Sequence, residues 1–135
     1  MKKLSFIVLV LICVFSFTFF IKAFSMQDKH YGVFIGMTKE ESMKLEKFDL
    51  LVVEPSEFET DDIRKMHGKN KKIYAYLDIG SLENYRPYYE RFKDNILGNY
   101  ENWEDEYWID VSDKNWQMFV VEELGKDIYE KGFDG

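Results

Sequence analysis

The hydrophobic and polar positions alternate between strand-like and helix-like patterns from residue 31 onward. Residues 31–35 form a short apolar run that predicts a buried strand, and Thr38 followed by three charged residues predicts a capped helix to about residue 47. Residues 49–53 form an apolar run typical of a strand in a parallel sheet that is covered on both faces. The chain therefore begins as strand, helix, strand.

The same pattern continues toward the C-terminus. Residues 60–66 predict a capped helix that stops near Gly68, and residues 72–79 predict a third strand. We predict a long loop with helical pieces over residues 81–106, a fourth strand over residues 107–111, and a helix over about 115–131 that Gly132 ends. The predicted buried face of this last helix consists of Trp116, Phe119, Val120, Leu124, Ile128 and Tyr129.

Four successive strand–helix units imply right-handed parallel crossovers and an α/β fold. The first strand is not followed by a glycine-rich phosphate loop, which favours a (β/α)8 barrel of the TIM-barrel type over a nucleotide-binding doubly wound sheet. A full barrel takes about 250 residues. We therefore expect residues 26–135 to form the N-terminal half of a (β/α) barrel that is truncated after about four βα units.

The first 25 residues are typical of an export signal. Lys2 and Lys3 precede an apolar run over residues 4–21, and small residues at positions 23 and 25 weakly mark a cleavage site. A run of this length suits either a cleaved signal peptide or a retained signal anchor. Both interpretations place the remainder outside the cell, either secreted or anchored to the outer face of the cytoplasmic membrane.

Cys13, the only cysteine, lies within this apolar run and is expected to act as a small hydrophobic residue. A lipid-anchor cysteine is the alternative, which the large Ile12 before it disfavours. The exported part then has no disulfide, cysteine nucleophile or thiolate metal site. His30 and His67 are too widely separated to suggest a metal site, so we predict no metal and no cofactor.

The exported part is acidic. Because residues 1–25 contain three lysines and no acids, residues 26–135 carry 15 basic and 25 acidic side chains, a formal charge of −10. This charge disfavours nucleic acid and anionic membrane surfaces as partners. It is compatible with a neutral or cationic ligand, although acidity is also an ordinary solubility feature of exported domains.

Polar residues follow the predicted strands, where a parallel barrel builds its active site. They are Glu54, Asp78, Ser81, Glu83 and Asp110. Glycoside hydrolysis needs two carboxyl groups, one to donate a proton and one to stabilise or attack the oxocarbenium centre. Structural roles remain open: Glu54 could cap a helix or pair with a lysine, and Glu83 could pair with Arg86. Asp110 could cap the turn that follows it.

Aromatic residues are dense after the third strand. Rings with polar tips suit the faces of sugars, but they suit a protein interface or a small core equally well. The residues are Tyr85, Tyr88, Tyr89, Tyr100, Trp103, Tyr107 and Trp108.

Four segments, taken in order and at their spacing, resemble one known family. They are FDLLVVEP at 48–55, YAYLDIGSLENYR at 74–86, WIDV at 108–111 and KGFDG at 131–135. In these segments the chain is similar to glycoside hydrolase family 114, the endo-α-1,4-polygalactosaminidase-like barrels. The similarity extends over nearly all of the exported part.

The resemblance implies a (β/α)8 barrel whose cleft binds a galactosamine-containing polysaccharide, with two acidic residues as catalysts. It places both catalytic acids beyond Gly135, one of them on the strand that residues 133–135 begin, so Asp134 is not the catalytic acid. At Asp78 and Ser81 the sequence departs from the residues that many relatives carry, which leaves the detailed substrate open. The residues we predict to bind substrate are Glu54, Tyr76, Asp78, Ser81, Glu83 and Asp110.

The sequence therefore predicts an exported, endo-acting glycoside hydrolase of a galactosamine polymer, incomplete within these residues. The alternative is a non-catalytic carbohydrate-binding or cell-surface protein on the same scaffold. A barrel enzyme of different chemistry also stays open, because a fold does not fix a function. If the barrel is truncated, its exposed sheet edges predict self-association.

Overall fold

The computed structural model describes residues 29–135. The predicted export signal, the apolar run over residues 4–21 and Cys13 lie outside the described residues. Within residues 29–135, no helix combines the length and the apolar character needed to cross a membrane.

The first half of the described chain is a parallel three-stranded sheet. Strands β1 (Tyr31–Phe34), β2 (Leu50–Val53) and β3 (Ile73–Ala75) lie in the order β1-β2-β3. Both pairings are parallel, which confirms the predicted crossover pattern. Helices α1 (Lys39–Ser42) and α2 (Thr60–His67) form the two connections.

Helix α1 begins where the sequence predicts and ends earlier. The Thr38 side chain accepts a hydrogen bond from the Glu41 amide, while the Glu41 carboxylate accepts one from the Thr38 amide, a reciprocal cap. The predicted end at residue 47 is wrong, because tight turns follow Ser42 and Lys47 takes a left-handed φ of 68°. That conformation redirects the chain into β2 rather than extending the helix.

The region predicted as a loop contains strands of a second sheet. Strands β4 (Ser81–Glu83), β5 (Ile96–Asn99) and β6 (Glu106–Ile109) lie in the order β4-β6-β5, and both pairings are antiparallel. Helix α3 (Tyr89–Phe92) and one turn of 3-10 helix (Lys93–Asn95) lie between β4 and β5. The prediction of a fourth parallel strand over residues 107–111 is therefore wrong.

The position beside β3 is occupied by residues 133–135 instead. The Asp134 amide donates to the Ile73 carbonyl and the Ala75 amide donates to the Gly135 carbonyl, both at 2.8 Å. These bonds advance in the same direction along both segments, so residues 133–135 run parallel to β3. Three parallel strands thus precede this segment, where the sequence predicted four.

One continuous helical segment connects the two halves of the fold. It consists of α4 (Lys114–Phe119), a wide π-helical turn (Val120–Gly125) and α5 (Lys126–Lys131), and it ends at Gly132 with a left-handed φ of 93°, as predicted. The prediction that Tyr129 is buried is wrong, because the residue is 79% exposed. A π-helical turn contains more residues than a turn of α-helix. The residues that follow it therefore lie on different sides of the helix from those that an uninterrupted α-helix predicts.

Two hydrophobic cores result. Trp116 lies in the second core, whereas Ile128 packs against the first, so the long helical segment contributes to both. The first core contains Leu51, Val53, Phe58, Ile63, Met66, Ile73 and Phe133. The second contains Leu82, Phe92, Ile109, Trp116 and Phe119.

The Asp134 side chain stabilises the contact between residues 133–135 and β3, so removing its carboxylate should lower the stability of the protein. Its carboxylate accepts hydrogen bonds from the Ile73 amide at 2.8 Å and from Lys72 Nζ at 2.5 Å. Burial alone would raise the pKa of Asp134, but these bonds and the nearby His67 lower it. We expect Asp134→Asn to reduce the free energy of unfolding by about 1–2 kcal/mol at pH 7, measured by urea denaturation.

The pH dependence of this effect has a defined sign. Because the pKa of Asp134 is lowered in the folded state, its contribution is present above the unfolded value of about 3.9 and is lost as the pH falls through the folded value. The difference in the free energy of unfolding between the unchanged protein and Asp134→Asn should therefore vanish in acid. Asp61→Asn is the matched control, since Asp61 forms an exposed pair with Arg64. If Asp61→Asn lowers the free energy of unfolding as much as Asp134→Asn does, the prediction is contradicted.

Candidate functional site

An open cleft of about 620 Å³ lies where the two sheets meet, beyond the carboxyl ends of β2 and β3. A smaller recess of about 240 Å³ adjoins it and shares several of its walls. Arg86 is the cation among the residues that line the cleft. Four acids line it, called here the cleft carboxylates: Glu54, Asp78, Glu83 and Glu106. Its aromatic residues are Tyr76, Tyr85, Tyr100 and Trp103.

Arg86 bridges two of the cleft carboxylates. Its Nη1 donates to Glu54 Oε1 at 3.2 Å, and its Nε donates to Glu83 Oε2. All three side chains are largely buried, with exposed fractions of 19%, 22% and 14%. Burial alone would lower the pKa of Arg86, but the hydrogen bonds to Glu83 and Glu54 outweigh it and raise the pKa. The guanidinium therefore stays charged and fixes both carboxylates.

Asp78 lies in a tight turn after β3 and is held by the backbone. Its Oδ1 accepts hydrogen bonds from the amides of Gly80 at 2.8 Å and Ser81 at 3.2 Å. The buried Ser81 hydroxyl lies 2.9 Å from Asp78 Oδ2 and 3.2 Å from Glu106 Oε2. Because a hydroxyl has one proton, it donates to one of these carboxylates at a time. Ser81 thus lies behind the cleft and links two of its acids.

Two tyrosines line this acidic cleft, Tyr76 and Tyr85, and the Tyr85 hydroxyl donates a hydrogen bond to Glu83. Burial and the neighbouring cleft carboxylates raise the pKa of Tyr76. The Tyr85 side chain is mostly exposed, but partial desolvation of its hydroxyl and the hydrogen bond to Glu83 raise the pKa of Tyr85 to about 12. Both hydroxyls therefore keep their protons at neutral pH.

Asp110 lies outside the lining of the cleft. Its Oδ1 accepts hydrogen bonds from the Ser112 amide at 2.9 Å and from the Ser112 hydroxyl at 2.6 Å, which lower the pKa of the Asp110 carboxyl. Its carbonyl accepts the Asp113 amide, and Asp113 caps α4. Asp110 shapes the turn before α4, the structural alternative that the sequence left open.

The structure adds residues that the sequence did not place in the site. The sequence predicts a loop at Glu106, yet Glu106 pairs across the strands with Glu83, so both carboxylates lie on the same part of the second sheet. The sequence indicates Trp103 only as one of several clustered aromatic residues, and Arg86 only as a partner of Glu83. The register of β4 against β6 is the signal that brings Glu106 to the cleft.

The cleft has the chemistry of a polar ligand site. Four carboxylates and one guanidinium line it, and tyrosines and other aromatic side chains complete the walls. Carboxylates accept hydrogen bonds from hydroxyl and ammonium groups, while rings pack on apolar faces of a ligand. Among residues 29–135, no group of three or more histidine, cysteine, aspartate or glutamate side chains is arranged to hold a metal ion.

The fold is similar to two solved structures. One is Aspergillus fumigatus Ega3 in complex with galactosamine, with a TM-score of 0.63 and 20% sequence identity over 79% of this chain and 42% of that one. The other is the glycoside hydrolase domain of PelA from Pseudomonas aeruginosa, with a TM-score of 0.60 and 13% identity over 81% and 42% of the two chains. The chain thus spans less than half the length of either structure.

Sequence comparison assigns the family. No curated protein sequence matches the chain significantly. The model of glycoside-hydrolase family GH114 matches residues 23–135, which include every residue that lines the cleft. This match confirms the resemblance carried by the four sequence segments. The chain belongs to glycoside-hydrolase family GH114.

Proposed function

We propose that this protein is an exported glycoside hydrolase that cleaves a galactosamine-containing polysaccharide internally, within a (β/α)8 barrel. Residues 29–135 would supply part of its substrate cleft. Family membership supports a glycosidase, and the similarity to a structure that contains galactosamine supports the amino sugar. The observation that carries the proposal is the cleft itself, which is lined by four carboxylates, several aromatic rings and a single guanidinium.

Charge is the reason for preferring an amino-sugar polymer over a neutral one. A de-N-acetylated galactosamine unit carries an ammonium group at neutral pH, and an excess of carboxylates attracts it. Arg86 already compensates Glu54 and Glu83. Asp78 and Glu106 form the other acidic part of the cleft, joined through Ser81, and we assign the ammonium-binding role to them.

The resemblance and the N-terminal sequence support the remaining parts of the proposal. Internal cleavage is the mode of action that the resemblance to the endo-α-1,4-polygalactosaminidase-like barrels implies. The basic and apolar pattern of residues 1–25 supports export and a secreted or membrane-anchored location.

A binding experiment tests the substrate class. Using the whole 135-residue chain in mild detergent, isothermal titration should show that de-N-acetylated galactosamine oligosaccharides bind about tenfold more tightly than N-acetylated ones, because each ammonium meets the acidic cleft. Added salt should narrow this preference. Glu106→Gln should reduce it, whereas Glu122→Gln, on the long helical segment outside the cleft, should not. Equal affinity for both oligosaccharides would contradict the proposed substrate.

A second measurement separates hydrolysis from binding alone. The resemblance places both catalytic acids beyond Gly135, so we expect the 135-residue chain to bind without releasing product. A protein that also contains the following βα units should release oligosaccharides from the polymer. Binding without release by either protein would favour a non-catalytic carbohydrate-binding role.

A further inference from the structure

A further cavity, of about 430 Å³, lies on the turn that joins β5 to β6. It is called here the turn groove. Tyr100 and Trp103 line both the cleft and the turn groove, so the two cavities adjoin each other at these rings. The residues that line the turn groove are Asn99, Tyr100, Asn102, Trp103, Glu104 and Tyr107.

The turn that carries these residues is fixed by hydrogen bonds and stacking. The Trp103 amide donates to the Tyr100 carbonyl and the Glu106 amide donates to the Trp103 carbonyl, both at 3.3 Å. The Tyr100 ring stacks on Trp108 with centroids 4.2 Å apart and an angle of 28° between the planes. The Tyr100 ring and the backbone of the turn therefore hold their positions without a ligand, which lowers the entropic cost of binding one.

Trp103 is the residue that needs an explanation. Within residues 29–135 it is 62% exposed although it lies between two cavities, and a large ring so exposed gains little from burial against these residues. A ligand lying over it would recover that burial. The ring is placed where a chain leaving the cleft would cross it.

The other residues of the turn groove supply polar contacts suited to a sugar. The amides of Asn99 and Asn102 both donate and accept hydrogen bonds, and Glu104 accepts them from hydroxyl or ammonium groups. Flat rings with a few polar groups beside them form the usual lining of small-molecule sites. The same chemistry lines the cleft, which favours the same ligand in both cavities.

We propose that the polysaccharide continues from the cleft across Trp103 into the turn groove, which binds additional sugar units of the same chain. This inference rests on the proposed function and deepens it. The protein then prefers long polymer to short oligosaccharide, and the β5–β6 turn determines that preference.

The test compares ligands of increasing length on the whole 135-residue chain. De-N-acetylated galactosamine oligosaccharides from two to eight units are titrated calorimetrically. Affinity should rise with length and then level off, and Trp103→Ala should weaken the longest ligand about tenfold. Asn102→Gly should lower only the affinity for long ligands, because glycine keeps the left-handed φ of 72° while removing an amide found in the turn groove alone.

Tyr129→Ala is the matched control, since Tyr129 is also an exposed aromatic residue but lies on α5. It should leave all affinities unchanged. If short ligands bind and affinity does not increase with ligand length, this inference is overturned and the proposed function is left intact. A change in oligomeric state with Trp103→Ala, without a change in affinity, would overturn it in favour of a second copy at the turn groove. Failure of every ligand length to bind would overturn the proposed function and this inference together.

Discussion

Trp116→Ala should lower the free energy of unfolding by about 3–5 kcal/mol, because it removes the largest side chain of the second core. Trp116 is 2% exposed, and its ring meets Phe92 edge-on with centroids 5.1 Å apart. Its Nε1 also donates to the Ile79 carbonyl at 3.1 Å. Truncation therefore leaves a cavity and an unpaired carbonyl beside the cleft. Urea denaturation followed by circular dichroism measures the loss.

Two further variants separate the causes. Trp116→Phe keeps most of the ring volume and removes the hydrogen bond, so we expect a loss of about 1–2 kcal/mol. Trp103→Ala removes an exposed tryptophan and should change stability by about 0.5 kcal/mol or less. A loss below about 1 kcal/mol for Trp116→Ala would show that the second core does not depend on this residue.

Arg86→Met should destabilise the protein by about 2–4 kcal/mol at pH 7. The variant leaves Glu54 and Glu83 largely buried without their shared cation, and methionine approximates the length of the lost side chain. Ligand affinity should fall as well, because both carboxylates line the cleft and lose their fixed positions. Chemical denaturation and calorimetric titration on the same samples measure both effects.

The pH dependence distinguishes lost charge compensation from lost packing. A protonated carboxyl group no longer requires the guanidinium, so the stability difference should be smaller in acid than at neutral pH. Arg91→Met is the control, because Arg91 pairs with Glu123 at the surface and both side chains are 52% exposed. We expect it to cost about 0.5 kcal/mol or less. A difference for Arg86→Met that stays constant with pH would attribute the effect to packing.

Local signals in the sequence predicted the parallel part of the fold. The apolar run of β2 and the Thr38 cap of α1 are properties of a few consecutive residues, and the structure confirms them. The antiparallel pairing of the second sheet could not be predicted in this way. The apolar run over residues 107–111 indicated a strand but not its direction, and β4 begins and ends in polar residues, so only pairing with β6 makes it a strand.

The same division applies to the candidate site. Glu54 and Asp78 follow β2 and β3, so the rule that parallel strands present their carboxyl ends to a site was sufficient to propose them. Glu106 reaches the cleft through an antiparallel register, which no local pattern encodes. Asp110 follows a strand too, but that strand belongs to the second sheet and its end leads into a helix cap.

The cleft has one wall on each sheet, and each sheet has its own core. Glu54 and Asp78 follow strands of the parallel sheet, whereas Glu83 and Glu106 belong to the antiparallel one. A ligand held by both walls favours the docked arrangement of the sheets, and by thermodynamic linkage the free energy of docking adds to the free energy of binding. Ligand affinity and the cooperativity of unfolding would then be two readouts of one equilibrium, and a substitution far from the cleft would alter binding by weakening the contact between the two sheets.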